Sequence, residues 1–218
     1  MRGLAELHLS MNELKEFPAG ICNLPLLRML NLSDNQIAGA LPPLSGLRSL
    51  QHLDLSGNRF CGAVPPGLGR ALTELVTCKL CSNSFSGAIP VTLLQVASLE
   101  LLWLSHNLFS GAMPSPSQCG SRLHFLRVDN NLLSGSVPAW PPGRWDERDG
   151  LGGTDGLWYH LNYLTGMDPS TKSDVADTQH KSKPDPSEYS RMLQYEQDRR
   201  QRSRRKSEED RLGIHTTN

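Results

Sequence analysis

The chain is poor in several things that would have pointed to a function. Aromatic residues make up only 6% of its 218 residues, so no large aromatic core or base-stacking surface is indicated. Neither sign of charge dominates: 22 basic residues face 22 acidic ones. That balance removes the electrostatic reason to expect nucleic acid or an anionic membrane as main partner. No apolar run reaches membrane length; the longest candidate, Val91 to Leu104, is broken by Thr92, Gln95, Ser98 and Glu100. Met1-Arg2-Gly3 runs straight into a leucine pattern, so a secretory leader is not expected. The five cysteines are an odd number without paired spacing at the solenoid ends, and a reducing, cytoplasmic setting is the expectation.

Catalytic and metal signatures are also missing. Cys78-x-x-Cys81 is a lone pair with no second pair near it, whereas a structural zinc site needs four ligands. The seven histidines are scattered, and neither a Gly-x-Ser-x-Gly elbow nor a phosphate loop accompanies the serines and aspartates. Neither an enzyme nor a cofactor or metal is expected.

What the chain does have is a repeat. Asn12, Asn35, Asn58, Asn83, Asn107 and Asn131 each close one string, beginning Leu4-x-x-Leu7-x-Leu9-x-x-Asn12 and ending Leu123-x-x-Leu126-x-Val128-x-x-Asn131. Alternation with period two makes the Leu-x-Leu core a short strand with its leucines inward. One coil cannot bury them alone, but stacked coils share a core. Where the strand bends, backbone groups lose their ladder partners, and a buried Asn amide can satisfy them. Cys78 and Val128 keep small apolar groups at spine positions.

Five coils add a second element after the Asn, as in Ser86-Gly87-Ala88-Ile89-Pro90 and Ser110-Gly111-Ala112-Met113-Pro114. With the Leu strings, it resembles the plant-type leucine-rich-repeat family and its Ser-Gly-x-Ile-Pro element. The first coil departs, reading Leu14-Lys15-Glu16-Phe17-Pro18. The resemblance covers residues 1–140. It implies an α/β solenoid, a right-handed coil of about six repeats with a parallel concave sheet on which ligands bind. No cap precedes Leu4, and a fragment and a genuine short protein both remain open.

Strand alternation then sorts the outward residues into columns. The central one is His8, Asn31, Asp54, Lys79, Trp103 and Arg127; the one before it is Glu6, Met29, His52, Thr77, Leu101 and Phe125; the one after is Ser10, Ser33, Ser56, Cys81, Ser105 and Asp129. Leu101, Trp103 and Phe125, with Arg127 and Lys79 beside them and Asp54 next in the column, have an interface composition. A solvent-facing Trp103 that anchors a protein partner is expected there. The competing expectation is that the C-terminal region folds back over this patch.

After Trp140 the periodicity changes. Pro141-Pro142-Gly143-Arg144-Trp145-Asp146-Glu147-Arg148 and Asp155-Gly156-x-x-Tyr159-x-x-Asn162-x-x-Thr165-Gly166 resemble a WW domain over residues 141–170. That resemblance implies a small three-stranded sheet and a role for Tyr159 in holding a Pro-rich peptide. Arg144 is inserted, the first loop is long, and the second Trp of the family falls at Ser170. An irregular aromatic cap on the last coil is the other reading of the segment.

Residues 171–184 read as a linker. A charged helix is expected over 185–213: Asp185 suits an N-cap, Pro186 the first helical position and Glu188 a capping box. Its basic run, Arg199 to Lys206, suits a solvated helix face, with nuclear entry, a membrane or RNA contact, or a phosphorylation site at Ser203 or Ser207 as alternatives. The expectation is a non-catalytic adaptor that binds one protein on the concave face and a second through its C-terminal region. A truncated plant-type receptor ectodomain and a structural subunit of a large assembly are the alternatives.

Overall fold

The computed structural model describes residues 3–136, 138–139, 157–158 and 162–165. The chain divides into two compact units, Met1–Val175 and Ala176–Asn218. The linker expected at 171–184 and the charged helix at 185–213 lie outside the described residues.

Two parallel sheets run through the first unit. One is built from β1 (Glu6–His8), β2 (Met29–Asn31), β4 (His52–Asp54), β6 (Thr77–Lys79), β8 (Leu101–Trp103), β10 (Phe125–Arg127) and β12 (Leu157–Trp158), in that order. The other is built from β3 (Ala38–Gly39), β5 (Arg59–Ala63), β7 (Ser84–Gly87), β9 (Leu108–Ala112), β11 (Leu132–Ser136) and β13 (Tyr163–Thr165). Each coil from the second onward thus gives one strand to each sheet, with the repeat Asn between them, and the first gives only β1. Short helices, α1 (Leu68–Ala71) and α2 (Val91–Leu94), close two of the coils. A solenoid of this kind is what the Leu-x-x-Leu-x-Leu-x-x-Asn spacing predicts.

The strands are short because each one must turn into its Asn. The residue just before that Asn has positive φ in six coils: Met11, Asp34, Gly57, Ser82, His106 and Asn130, all near 55–65°. The left-handed turn breaks the ladder, and the Asn amide replaces the lost partners. Asn58 directs Nδ2 at the carbonyls of Leu55 (3.2 Å) and Ser56 (3.2 Å) in its own coil and of Leu32 (2.9 Å) in the coil before. Its Oδ1 accepts from the Ile37 amide at 3.0 Å. Asn35, Asn83, Asn107 and Asn131 repeat the pattern.

The Ser-Gly-x-Ile-Pro element has its own physical cause. Its glycines, Gly39, Gly62, Gly87, Gly111 and Gly135, all take φ between 76° and 93°, a region closed to L side chains without strain. Between the sheets lies the spine: Leu30, Leu53, Cys78, Leu102 and Leu126 are 0–1% exposed. A second row, Phe60, Phe85 and Phe109, stacks ring on ring at 5.7 and 6.2 Å. Each such side chain contributes about 1.5–3 kcal/mol by leaving water.

The array does not stop near residue 140. β12 pairs in parallel with β10, Leu157 against Leu126 and Trp158 against Arg127. β13 pairs in parallel with β11, Ser134 against Tyr163. Asn162 stands where the ladder requires it, its Nδ2 donating to the Val128 carbonyl at 3.0 Å and its Oδ1 accepting from the Leu133 amide at 2.9 Å. The described residues past 140 therefore add one strand to each sheet, with Asn162 in the ladder position of a further coil.

Substituting Asn58→Ala strands the Ile37 amide and three carbonyls, and we expect a loss on the order of 3 kcal/mol in urea unfolding. Asn12→Ala, exposed and bonded only within its own coil to the Leu9 and Ser10 carbonyls, is expected to cost under about 1 kcal/mol.

Candidate functional site: the outward columns of the strand ladder

The registers bring two of the three columns together as the alternation requires, while Ser33, Ser56, Ser105 and Asp129 of the third are buried. His8, Asn31, Asp54, Lys79, Trp103 and Arg127 are successive cross-strand partners, and so are Glu6, Met29, His52, Thr77, Leu101 and Phe125. The N-terminal part of this face is polar and open: His8 is exposed, while Asn31 and Asp54 are half-buried. His52 Nδ1 and Thr77 Oγ1 share a hydrogen bond at 2.9 Å. Asp54 Oδ1 accepts from the Ser56 amide (3.1 Å) and hydroxyl (2.5 Å), so this carboxylate is tied to its own strand.

Towards β8 and β10 the chemistry changes. Trp103 lies between Lys79 and Arg127, one on each neighbouring strand. Lys79 Nζ and Arg127 Cζ each sit 5.0 Å from the indole centroid. Phe125 meets the indole edge-on at 5.8 Å and 90°. Arg127 Nε donates to Asp129 Oδ1 at 3.2 Å. Asp129 Oδ2 accepts from Asn130 Nδ2 at 3.1 Å and lies 3.9 Å from His106 Nε2. This is a cation–π row closed at one end by a buried acid.

One expectation needs correcting. Trp103 and Arg127 are not solvent-facing: each is only 7% exposed, while Leu101, Phe125 and Lys79 are half-buried. The reason is cooperative. The indole is flanked by two cations and a phenyl edge, and Arg127 is not on the last strand, because β12 runs beside it. Of the WW-like segment, the described strands β12 and β13 pair in parallel with β10 and β11. Tyr159, the expected peptide-binding residue, lies outside the described residues.

The signal for this further coil was present in the sequence. Leu157 precedes Asn162 by five residues, as Leu126 precedes Asn131, and Thr165-Gly166 followed by Pro169 repeats the spacing of Ser134-Gly135 and Pro138. The step from Asn131 to Asn162 is 31 residues, longer than any other.

None of the five cysteines is in a disulfide. Cys78 is in the spine, where burial pushes its thiol far up and the Asp54 charge and Cys81 add to the shift. Cys61, in β5, is exposed. Among the described residues, no group of three or more His, Cys, Asp or Glu side chains could hold a metal ion, and no helix is long and apolar enough to cross a membrane.

Stacked coils, an Asn ladder and a strand face with sorted columns define the class: a leucine-rich-repeat solenoid. A family model for leucine-rich repeats (2 copies) matches residues 25–66. Among solved structures, pollen receptor kinase 3 is 28% identical over 78% of this chain and 79% of that one, with a TM-score of 0.63. The plant peptide hormone receptor RGFR1, solved in complex with RGF2, is 30% identical over 77% of this chain and 26% of its own, with a TM-score of 0.65. A chain of the BIR3–SERK2 complex from Arabidopsis thaliana is 37% identical over 64% of this chain and 70% of its own, with a TM-score of 0.50. None of the curated proteins compared matches the chain. The chain belongs to the leucine-rich-repeat family, and the structures it resembles are of plant receptors. It spans only about a quarter of the RGFR1 chain.

Asn162→Ala removes the acceptor of the Leu133 amide, whose hydrogen exchange is expected to quicken at least about tenfold. Unchanged protection at Leu133 would return the segment to a separate unit. A soluble maleimide is expected to label Cys61 within minutes in native buffer and to reach Cys78 only after unfolding, at any pH from 7 to 9.

Proposed function

We propose that the protein is a non-catalytic interaction module whose strand ladder binds another protein, with the contact centred on β6, β8 and β10. The observation that carries this reading is the row Lys79–Trp103–Arg127, with Phe125 and Leu101 beside it. Aromatic and arginine side chains packed together on a strand face are the composition of an interaction hot spot. The polar N-terminal columns, with Asp54, His52 and His8, then act as the rim. The likeness to a peptide hormone receptor solved in complex with RGF2 supports a peptide or protein partner.

The module works in the cytoplasm as an adaptor, in this reading, with entry to the nucleus through the basic run as the variant. Five cysteines outside any disulfide, one of them exposed, support a reducing compartment. A second reading, a piece of a receptor ectodomain, is favoured by the likeness to plant receptor structures. In either case the ladder face is the contact surface.

The test is capture of partners from a cell extract by the full chain, with Trp103→Ala and Lys79→Glu as variants and circular dichroism as the folding control. Captured protein is expected to fall at least about tenfold with either variant. Capture that survives both changes, in folded protein, removes this face. Fractionation of the endogenous protein separates the two readings: a cytosolic, thiol-free-labelled species supports the adaptor, and a glycosidase-sensitive membrane species supports the ectodomain.

A further inference from the structure

The row described above is chemically unfinished, and the missing group identifies what would complete it. This inference rests on the binding face just proposed and specifies its ligand. Trp103 is 7% exposed, and its Nε1–H has no hydrogen-bond partner. A buried donor without an acceptor is costly, and native structures seldom keep one without a reason. Its cross-strand neighbour Lys79 holds Nζ over the ring at 5.0 Å, with no ion pair or hydrogen bond among the described residues. The two cations that flank the indole therefore differ. Arg127 is already committed to Asp129, and Lys79 is engaged only by the ring face. Asp54, next to Lys79 in the column, has Oδ1 taken by Ser56. On the other side, Leu101 and Phe125 leave apolar surface half open.

We propose that this site takes a side-chain carboxylate, Asp or Glu, next to a large apolar residue on an extended partner segment. The carboxylate draws the Lys79 ammonium off the indole face and accepts hydrogen bonds from it and from Trp103 Nε1. Charge-assisted bonds of this kind are stronger than the cation–π contact they replace. The neighbouring apolar side chain packs on Leu101 and Phe125.

The experiment selects random dodecamers displayed at a free N-terminus against the full chain. Selected sequences are then measured as C-terminally amidated peptides, so that only side-chain carboxylates are read. Selection is expected to enrich Asp or Glu beside Leu, Phe, Tyr or Trp. Glu→Gln in the peptide and Lys79→Ala in the protein are each expected to weaken binding about tenfold, and together little more than either alone. Trp103→Phe, which keeps a ring and loses the N–H, is expected to weaken binding severalfold. Peptides that compete at Trp103 but show no acidic preference, or bind Lys79→Ala unchanged, overturn the carboxylate assignment and leave the binding face standing. Failure to enrich any peptide sensitive to Trp103→Ala overturns both.

Discussion

One constraint governs this molecule: a strand of three residues that turns out of its ladder must have its loose backbone groups met by something. The repeat asparagine does that work. Each Asn from the second coil onward reaches back to a carbonyl of the preceding coil and takes an amide from it. Stacking is therefore not simply apolar attraction between leucines. It is a chain of buried hydrogen bonds in which each coil completes its predecessor, and partial satisfaction of such a network is costly. That reciprocity sets the rise between coils, and with it the cross-strand neighbours on the outward face.

From that register the chemistry of the face follows. Lys79, Trp103 and Arg127 are far apart in sequence and meet only because their coils are stacked in step. Once stacked, the indole gathers a cation from each side and a phenyl edge, and Trp103 and Arg127 become buried. The opposite part of the same columns has no large ring to organise it, so His8 and Asn31 stay open or half-open. The spine is uniform along the chain, while the outward columns change character from coil to coil. This is how one architecture carries a local binding preference.

The region after residue 140 shows how two patterns can compete over one segment. Asp155-Gly156, Tyr159, Asn162 and Thr165-Gly166 fit the spacing of a small antiparallel domain as well as that of another coil. The 31-residue step from Asn131 hides the second fit, because periodicity is detected by regular intervals. Hydrogen bonds do not count residues. Asn162 needs only to stand beside Val128 and Leu133, and a longer excursion between the two asparagines costs little entropy for its extra length.

Local periodicity determined what the sequence could determine: the coil, the inward leucines, the role of Asn and glycine, and the membership of each outward column. Those features depend on spacing along one strand or turn, and alternation is a local geometric rule. Exposure within a column was decided only by the tertiary structure. Whether Trp103 meets solvent depends on Lys79, Phe125 and Arg127, each from another coil, and on a further strand laid beside Arg127. Pointing outward is a property of one strand, but burial belongs to everything packed around it.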